Sequence, residues 1–114
     1  MGFFFFSCST SNNEKQDLAQ YVNPFIGTGG HGHTYPGATA PFGMIQNSPD
    51  TRMDSWDGCS GYHISDNDIL GFSLTHLTGT GCNDYGDFRF SPMTGKPSFN
   101  SEDYSSSFKH ENET

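Results

Sequence analysis

Asp87-Phe88-Arg89-Phe90-Ser91 alternates polar and apolar side chains without a break, the period of a strand with one covered face and one wet face. Phe88 and Phe90 are expected to face a core and Arg89 to face away from it. Working outward, the segments 42–47, 61–64, 69–77, 86–91 and 104–108 read as short strands, each bounded by Gly, Pro, Asn or Asp, residues that punctuate strands and form turns. Pro24, Pro36, Pro41, Pro49, Pro92 and Pro97, with glycine at nearly every bend, leave no window for an amphipathic helix, because proline lacks the amide donor and clashes with the preceding turn. The expected class is therefore mainly β, an incomplete β-sandwich with long Gly-rich loops: there are too few strands to close two sheets, and the last candidate runs into Lys109-His110-Glu111-Asn112-Glu113-Thr114 without a stop signal.

The chain has 114 residues, enough for one domain, with 32% hydrophobic residues, 14 glycines and 11 phenylalanines. A small, apolar-poor domain buries a modest core. The formal charge of −8, with no Lys/Arg run, argues against nucleic acid as a partner, since a phosphate backbone requires a basic footprint. No run approaches the ~20 apolar residues of a membrane span.

Four phenylalanines precede Ser7-Cys8, and a polar stretch follows through Asn12, Asn13 and Glu14. A small residue and a cysteine ending an apolar run resemble a bacterial lipoprotein signal, in which the cysteine carries lipid and becomes the new N-terminus. Residues 1–20 are thus expected to be a signal remnant plus tether and 21–114 the partial domain, with Cys8 lipidated at the periplasm or cell surface; the alternative is a buried N-terminal strand with an inert thiol. In such a compartment Cys59 and Cys82 can pair, or can stay as two buried thiols near a pocket.

Gly27-Thr28-Gly29-Gly30-His31-Gly32 has the spacing of a dinucleotide-binding turn. That turn must open a helix onto a pyrophosphate, and Pro36-Gly37 forbids one. The glycines are expected instead to allow a close backbone approach. His31 and His33 stand two apart, so on a strand both rings would point to one side; hydrogen-bonding loop histidines are the favoured reading over zinc ligands. In Ser55-Trp56-Asp57-Gly58-Cys59-Ser60-Gly61-Tyr62-His63 the single tryptophan adjoins a carboxylate among small residues, with Arg52 just upstream. An indole can cover the C–H face of a pyranose while Asp and Arg take its hydroxyls; equally, Trp56 can be core and Asp57 a turn former. The segment 75–87 ends a strand in a turn dense in hydroxyls, imidazole and carboxylates, and holds His76, Asp84 and Asp87. Three residues of spacing do not make Asp84 and Asp87 the acid and base of a glycosidase.

Taken in order, Val22-Asn23-Pro24-Phe25-Ile26-Gly27-Thr28-Gly29, His33-Thr34-Tyr35-Pro36-Gly37-Ala38, Pro41-Phe42-Gly43-Met44, Ser48-Pro49-Asp50-Thr51-Arg52, Trp56-Asp57-Gly58-Cys59-Ser60-Gly61-Tyr62-His63 and Gly79-Thr80-Gly81-Cys82-Asn83-Asp84-Tyr85-Gly86-Asp87 closely resemble the N-terminal domain of glycoside hydrolase family 92, from about Tyr21 onward. Two positions depart from the pattern, Asn47 where an apolar strand residue is expected and Leu74 where a polar residue is frequent. The resemblance implies the N-terminal fragment of an exported, calcium-dependent exo-α-mannosidase that cleaves terminal α-mannosides, the α-1,2 linkage being favoured, with inversion. It also implies a larger C-terminal α/α-barrel domain that holds the acid, the base and most calcium ligands. This chain would then supply no catalytic or metal-binding residue but a wall of the mannoside pocket, through Arg52, Trp56, Asp57, His76 and Asp84. The alternative is a free-standing, surface carbohydrate-binding lipoprotein.

Overall fold

The computed structural model describes residues 16–83 and 86–112. Its regular structure is antiparallel strand, as the class expectation requires. The strands are β1 Ser48–Asp50, β2 Asp68–Ile69, β3 Gly71–Ser73, β4 Arg89–Phe90 and β5 Ser106–Ser107. Single 3-10 turns stand at Leu18–Tyr21, Ser101–Tyr104 and His110–Asn112, and no α-helix occurs among the described residues. The first of these turns is capped by Asp17, whose carboxylate accepts from the Ala19 amide at 3.0 Å, the usual way to satisfy an orphan donor at such an end.

β3 is the middle of a three-stranded sheet, flanked by β1 and β4, while β2 and β5 form a separate pair. Pro49 stands opposite Phe72, and Phe72 opposite Phe90. Residues directly opposite share a face, so Pro49, Phe72 and Phe90 form one apolar row across the sheet. The other face carries Ser48, Asp50, Gly71 and Ser73, all buried. Leu70, between β2 and β3, donates its amide to the Asp50 carbonyl at 2.8 Å and ties the two sheets at this corner.

Here the alternation reading needs correction: Phe88 is 73% exposed and Phe90 59% exposed. β4 pairs only with β3 among the described strands, and it is the small, polar face of the sheet that turns inward. Two expected strands are also absent. Segment 42–47 begins as a turn in which the Gly43 amide donates to the Ala40 carbonyl at 2.9 Å and Phe42 takes a positive φ of 60°, a geometry that halts extension. Segment 61–64 is irregular, because the Gly61 carbonyl accepts from both the Thr51 and Arg52 amides and so closes a loop instead of joining a ladder. Segment 69–77 contains the end of β2 and all of β3, and leaves the sheet after Ser73; 86–91 and 104–108 contract to β4 and β5.

The interior is polar. Its apolar members among the described residues are Cys59 and Tyr62, against Thr28, His33, Ser48, Asp50, Thr51, Ser60, Ser73 and His76. Burying polar groups is costly unless they are hydrogen-bonded; apart from Nε2 of His33 and Oγ of Ser60, which are buried without a partner among the described residues, side-chain hydrogen bonds rather than apolar packing hold this centre. No helix among the described residues is long and apolar enough to cross a membrane.

Candidate functional site

The site grows from the end of β1. Beyond Asp50 the chain loops out and returns at Gly61, whose carbonyl accepts from the Thr51 and Arg52 amides at 2.7 and 3.2 Å. Positive φ at Gly58 (84°) and Gly61 (97°) lets the return be this tight. At Gly61 a side chain is also forbidden by space: a Cβ would lie 2.7 Å from Oδ1 of Asp50.

Under the loop sits a buried cluster. The Ser73 hydroxyl donates to Oδ2 of Asp50 at 2.5 Å, and Nε2 of His76 donates to Oδ1 of Asp50 at 2.9 Å. Nδ1 of His76 lies 2.6 Å from the Gln46 carbonyl, so both ring nitrogens have acceptors in reach. Ser, His and Asp are the residue types of a nucleophilic triad, but Ser73 and Asp50 both meet Nε2, Ser73 at 3.2 Å. A triad needs the serine and the carboxylate on opposite ring nitrogens; this cluster is structural. His76, expected as a sugar contact, lies 6% exposed in the wall of a cavity of about 160 Å³. Arg52, Cys59, Ser60 and Asn83 share that wall.

Arg52 is gripped from behind. Its Nε donates to Oδ2 of Asp66 at 3.0 Å, its Nη2 to Oδ1 of Asp66 and to Ser65, and its Nη1 to the Asp57 carbonyl. The Asp66 hydrogen bonds come first in raising the guanidinium above its ordinary value, against a smaller opposing effect of burial. Burial pushes the Asp66 carboxyl up, but the hydrogen bonds from Arg52 and Thr51, with the Arg52 charge, outweigh it and leave the group below its ordinary value. All three guanidinium nitrogens of Arg52 are thus engaged inside the protein.

Trp56, at the loop's outer turn, is 56% exposed and so is not a core residue of the described structure. Two imidazoles flank it, both from the Gly-rich segment. The His33 ring meets the indole edge-on at 4.6 Å between centroids, and the His31 ring lies tilted at 4.9 Å. Nδ1 of His31 stands 2.5 Å from Oδ1 of Asp57. The glycines serve this loop's own backbone: the Gly32 amide donates to the Gly29 carbonyl at 3.1 Å, and a Cβ on Gly32 would lie 2.0 Å from the Gly27 carbonyl oxygen.

The structure therefore separates the expected site residues into an outer group, Trp56 and Asp57, and an inner group, Arg52 and His76. Asp84 and Cys8 lie outside the described residues. Cys59 is buried with its thiol 2.8 Å from the Thr80 carbonyl, Cys82 is exposed, and both are thiols. The sequence reading missed Asp50 as the partner of His76 and Asp66 as the partner of Arg52, since nothing local joins positions 26 and 14 residues apart; it also missed Ser73, only three residues from His76, because the contact depends on the chain leaving the sheet after Ser73. It singled out His31 and His33, whose spacing would put both rings on one side of a strand; they stand instead in a loop, His33 at a positive φ of 53°, and their shared neighbour, Trp56, had no local signal. The described residues do not form a metal centre: no three His, Cys, Asp or Glu groups lie close enough to hold an ion.

The profile of the glycosyl hydrolase family 92 N-terminal domain matches residues 21–114. A solved family 92 α-mannosidase of Bacteroides thetaiotaomicron in complex with mannoimidazole is 49% identical, with a TM-score of 0.73, covering 81% of this chain and 13% of that one. A second structure of that enzyme gives the same values. A protein of Arthroderma benhamiae described as an uncharacterized secreted glycosidase is 35% identical over 65 residues, 57% of this chain and 8% of that protein. The chain thus spans a small part of the length of the relatives it matches.

Proposed function

Because the chain belongs to glycosyl hydrolase family 92, through that family's N-terminal domain, we propose that it forms one wall of the mannoside pocket of an exported α-mannosidase. The observation that carries this reading is the half-open Trp56 indole beside the Asp57 carboxylate, in a chain 49% identical to an α-mannosidase solved with mannoimidazole. An exposed indole next to a carboxylate offers an apolar face for pyranose C–H bonds and acceptors for hydroxyls. Export is supported by the secreted relative; the lipid on Cys8 rests on the signal-like sequence alone.

The finer parts of the proposal rest on the family resemblance. They are cleavage of terminal α-mannosides, favouring α-1,2, with one carboxylic acid protonating the glycosidic oxygen while a second carboxylate activates water on the opposite face. Both carboxylates belong to a larger α/α-barrel domain of the same protein, for which the outward row of Pro49, Phe72 and Phe90 offers an apolar seat. A calcium requirement belongs to the same proposal. The described residues of this chain gather no ion site of their own.

The test is to express the entire coding frame, supply α-mannobioses of each linkage, and follow the anomer first released by nuclear magnetic resonance. Release of β-mannose supports the inverting α-mannosidase; release of α-mannose overturns inversion, and no hydrolysis of any mannoside overturns the activity.

A further inference from the structure

We propose that His31 is a specificity-determining contact of the Trp56 platform, accepting a hydrogen bond from a hydroxyl of the sugar whose C–H face covers the indole. The inference rests on the mannoside reading above and adds a residue that reading does not contain. Nδ1 of His31 stands 2.5 Å from Oδ1 of Asp57, and a carboxylate can only accept there, so Nδ1 carries the proton. In the neutral ring that leaves Nε2 with a lone pair. No described residue takes Nε2. The side chain is 71% exposed, beside an indole that is itself more than half open, so the ring is open to a ligand that reaches the indole.

The two histidines have different tasks. His33 is 9% exposed and edge-on to Trp56, its carbonyl accepting from the Gly79 amide at 2.8 Å; it backs the indole from the buried side. His31 is oriented by Asp57 and presents its other nitrogen outward. An exposed contact of this kind contributes little to folding, so holding an exposed imidazole in one tautomer and one place has its effect on whatever settles on the indole. Pyranose hydroxyls lie at the edge of the face that stacks, within reach of an imidazole whose centroid is 4.9 Å from that of the indole.

Trp56 is the only tryptophan of these 114 residues, and the difference between the unaltered protein and Trp56→Phe isolates its emission from that of any tryptophan elsewhere in the full chain. The protein is titrated with methyl α-D-mannopyranoside and with its monodeoxy analogues, in parallel with His31→Ala and His31→Gln, the latter keeping an acceptor. The expected result is a saturable emission change in the unaltered protein. His31→Ala should weaken it roughly three- to tenfold, the loss of one neutral hydrogen bond, with His31→Gln recovering part of the loss. One deoxy analogue should bind the unaltered protein as weakly as the parent sugar binds His31→Ala, and should lose nothing further in that variant. Equal affinity of the unaltered protein and His31→Ala, with Trp56→Phe still impaired, overturns the role of His31 and leaves the mannoside reading standing. No saturable response in the unaltered protein overturns both.

Discussion

Nε2 of His76 lies 2.9 Å from Oδ1 of Asp50, and the two side chains are 3% and 1% exposed. A carboxylate so shielded depends on its partners for the hydration it has lost. His76→Ala should therefore destabilise the protein by about 3–5 kcal/mol, the range for breaking a buried pair from one side. Replacing both partners, as in Asp50→Asn with His76→Leu, should recover much of that loss. Urea unfolding of the three proteins checks both expectations, and a double variant no better than the single one would show that packing of the ring, not charge compensation, sets the effect.

The Arg52 and Asp66 pair gives the protein an acid-sensitive element. In the folded chain Asp66 titrates below its ordinary value of 3.8, so the folded state binds that proton less readily than the unfolded state does. Its contribution is complete above pH 3.8 and is lost as the pH falls through the lower, folded value. Asp66→Asn should reduce stability at pH 7 by about 1.5–3 kcal/mol, the range for hydrogen bonds to a charged group, and the gap from the unaltered protein should narrow on acidification below pH 3.8. Denaturation midpoints measured from pH 7 to pH 2.5 read this directly; a gap that is constant with pH would remove Asp66 as its source.

Trp56 should be nearly silent in folding and decisive in sugar response. Being 56% exposed, its replacement by alanine should change stability by less than about 1 kcal/mol, while acrylamide should quench its native emission freely. His33→Ala should increase the indole's local motion, seen as a fall in emission anisotropy, because the edge-on ring at 4.6 Å is removed. An unchanged anisotropy would mean that the loop backbone alone fixes the indole.

Gly61 and Gly79 separate backbone strain from crowding. Both take positive φ, 97° and 79°, yet a Cβ on Gly79 meets nothing within 4 Å while one on Gly61 lies 2.7 Å from Asp50 and 3.0 Å from His76. Gly79→Ala should cost about 1–2 kcal/mol, the penalty for a left-handed residue with a side chain. Gly61→Ala should cost about 2–5 kcal/mol, overpacking being added to that penalty. Comparable melting temperatures for the two variants would argue that the Asp50 cluster yields easily.

The class of fold was legible in the sequence because prolines and glycines cut the chain into pieces too short for helices, leaving strands and turns. The facing of those strands was not. Alternation in 87–91 assigns phenylalanine inward by habit, whereas the sheet turns Ser48, Asp50 and Ser73 inward and leaves Phe72 and Phe90 out. That inversion is set by the register of β1 on β3, and no local pattern announces it. Phe42 at positive φ is similarly silent, since phenylalanine has no preference for that region. The Trp56 loop was readable as a pair of alternatives, and exposure removes the core one; the histidines that flank it are 25 and 23 residues upstream and reach it only through the fold.

An interior built from Thr28, Ser48, Asp50, Thr51, Ser60, Ser73 and His76 has a calorimetric consequence. Hydrating apolar surface raises the heat capacity of an unfolding chain, and hydrating polar surface lowers it. Opening this centre should therefore change heat capacity by less than the roughly 12–15 cal/mol/K per residue usual for globular proteins, giving a stability curve that is broad and shallow, with little penalty on cooling.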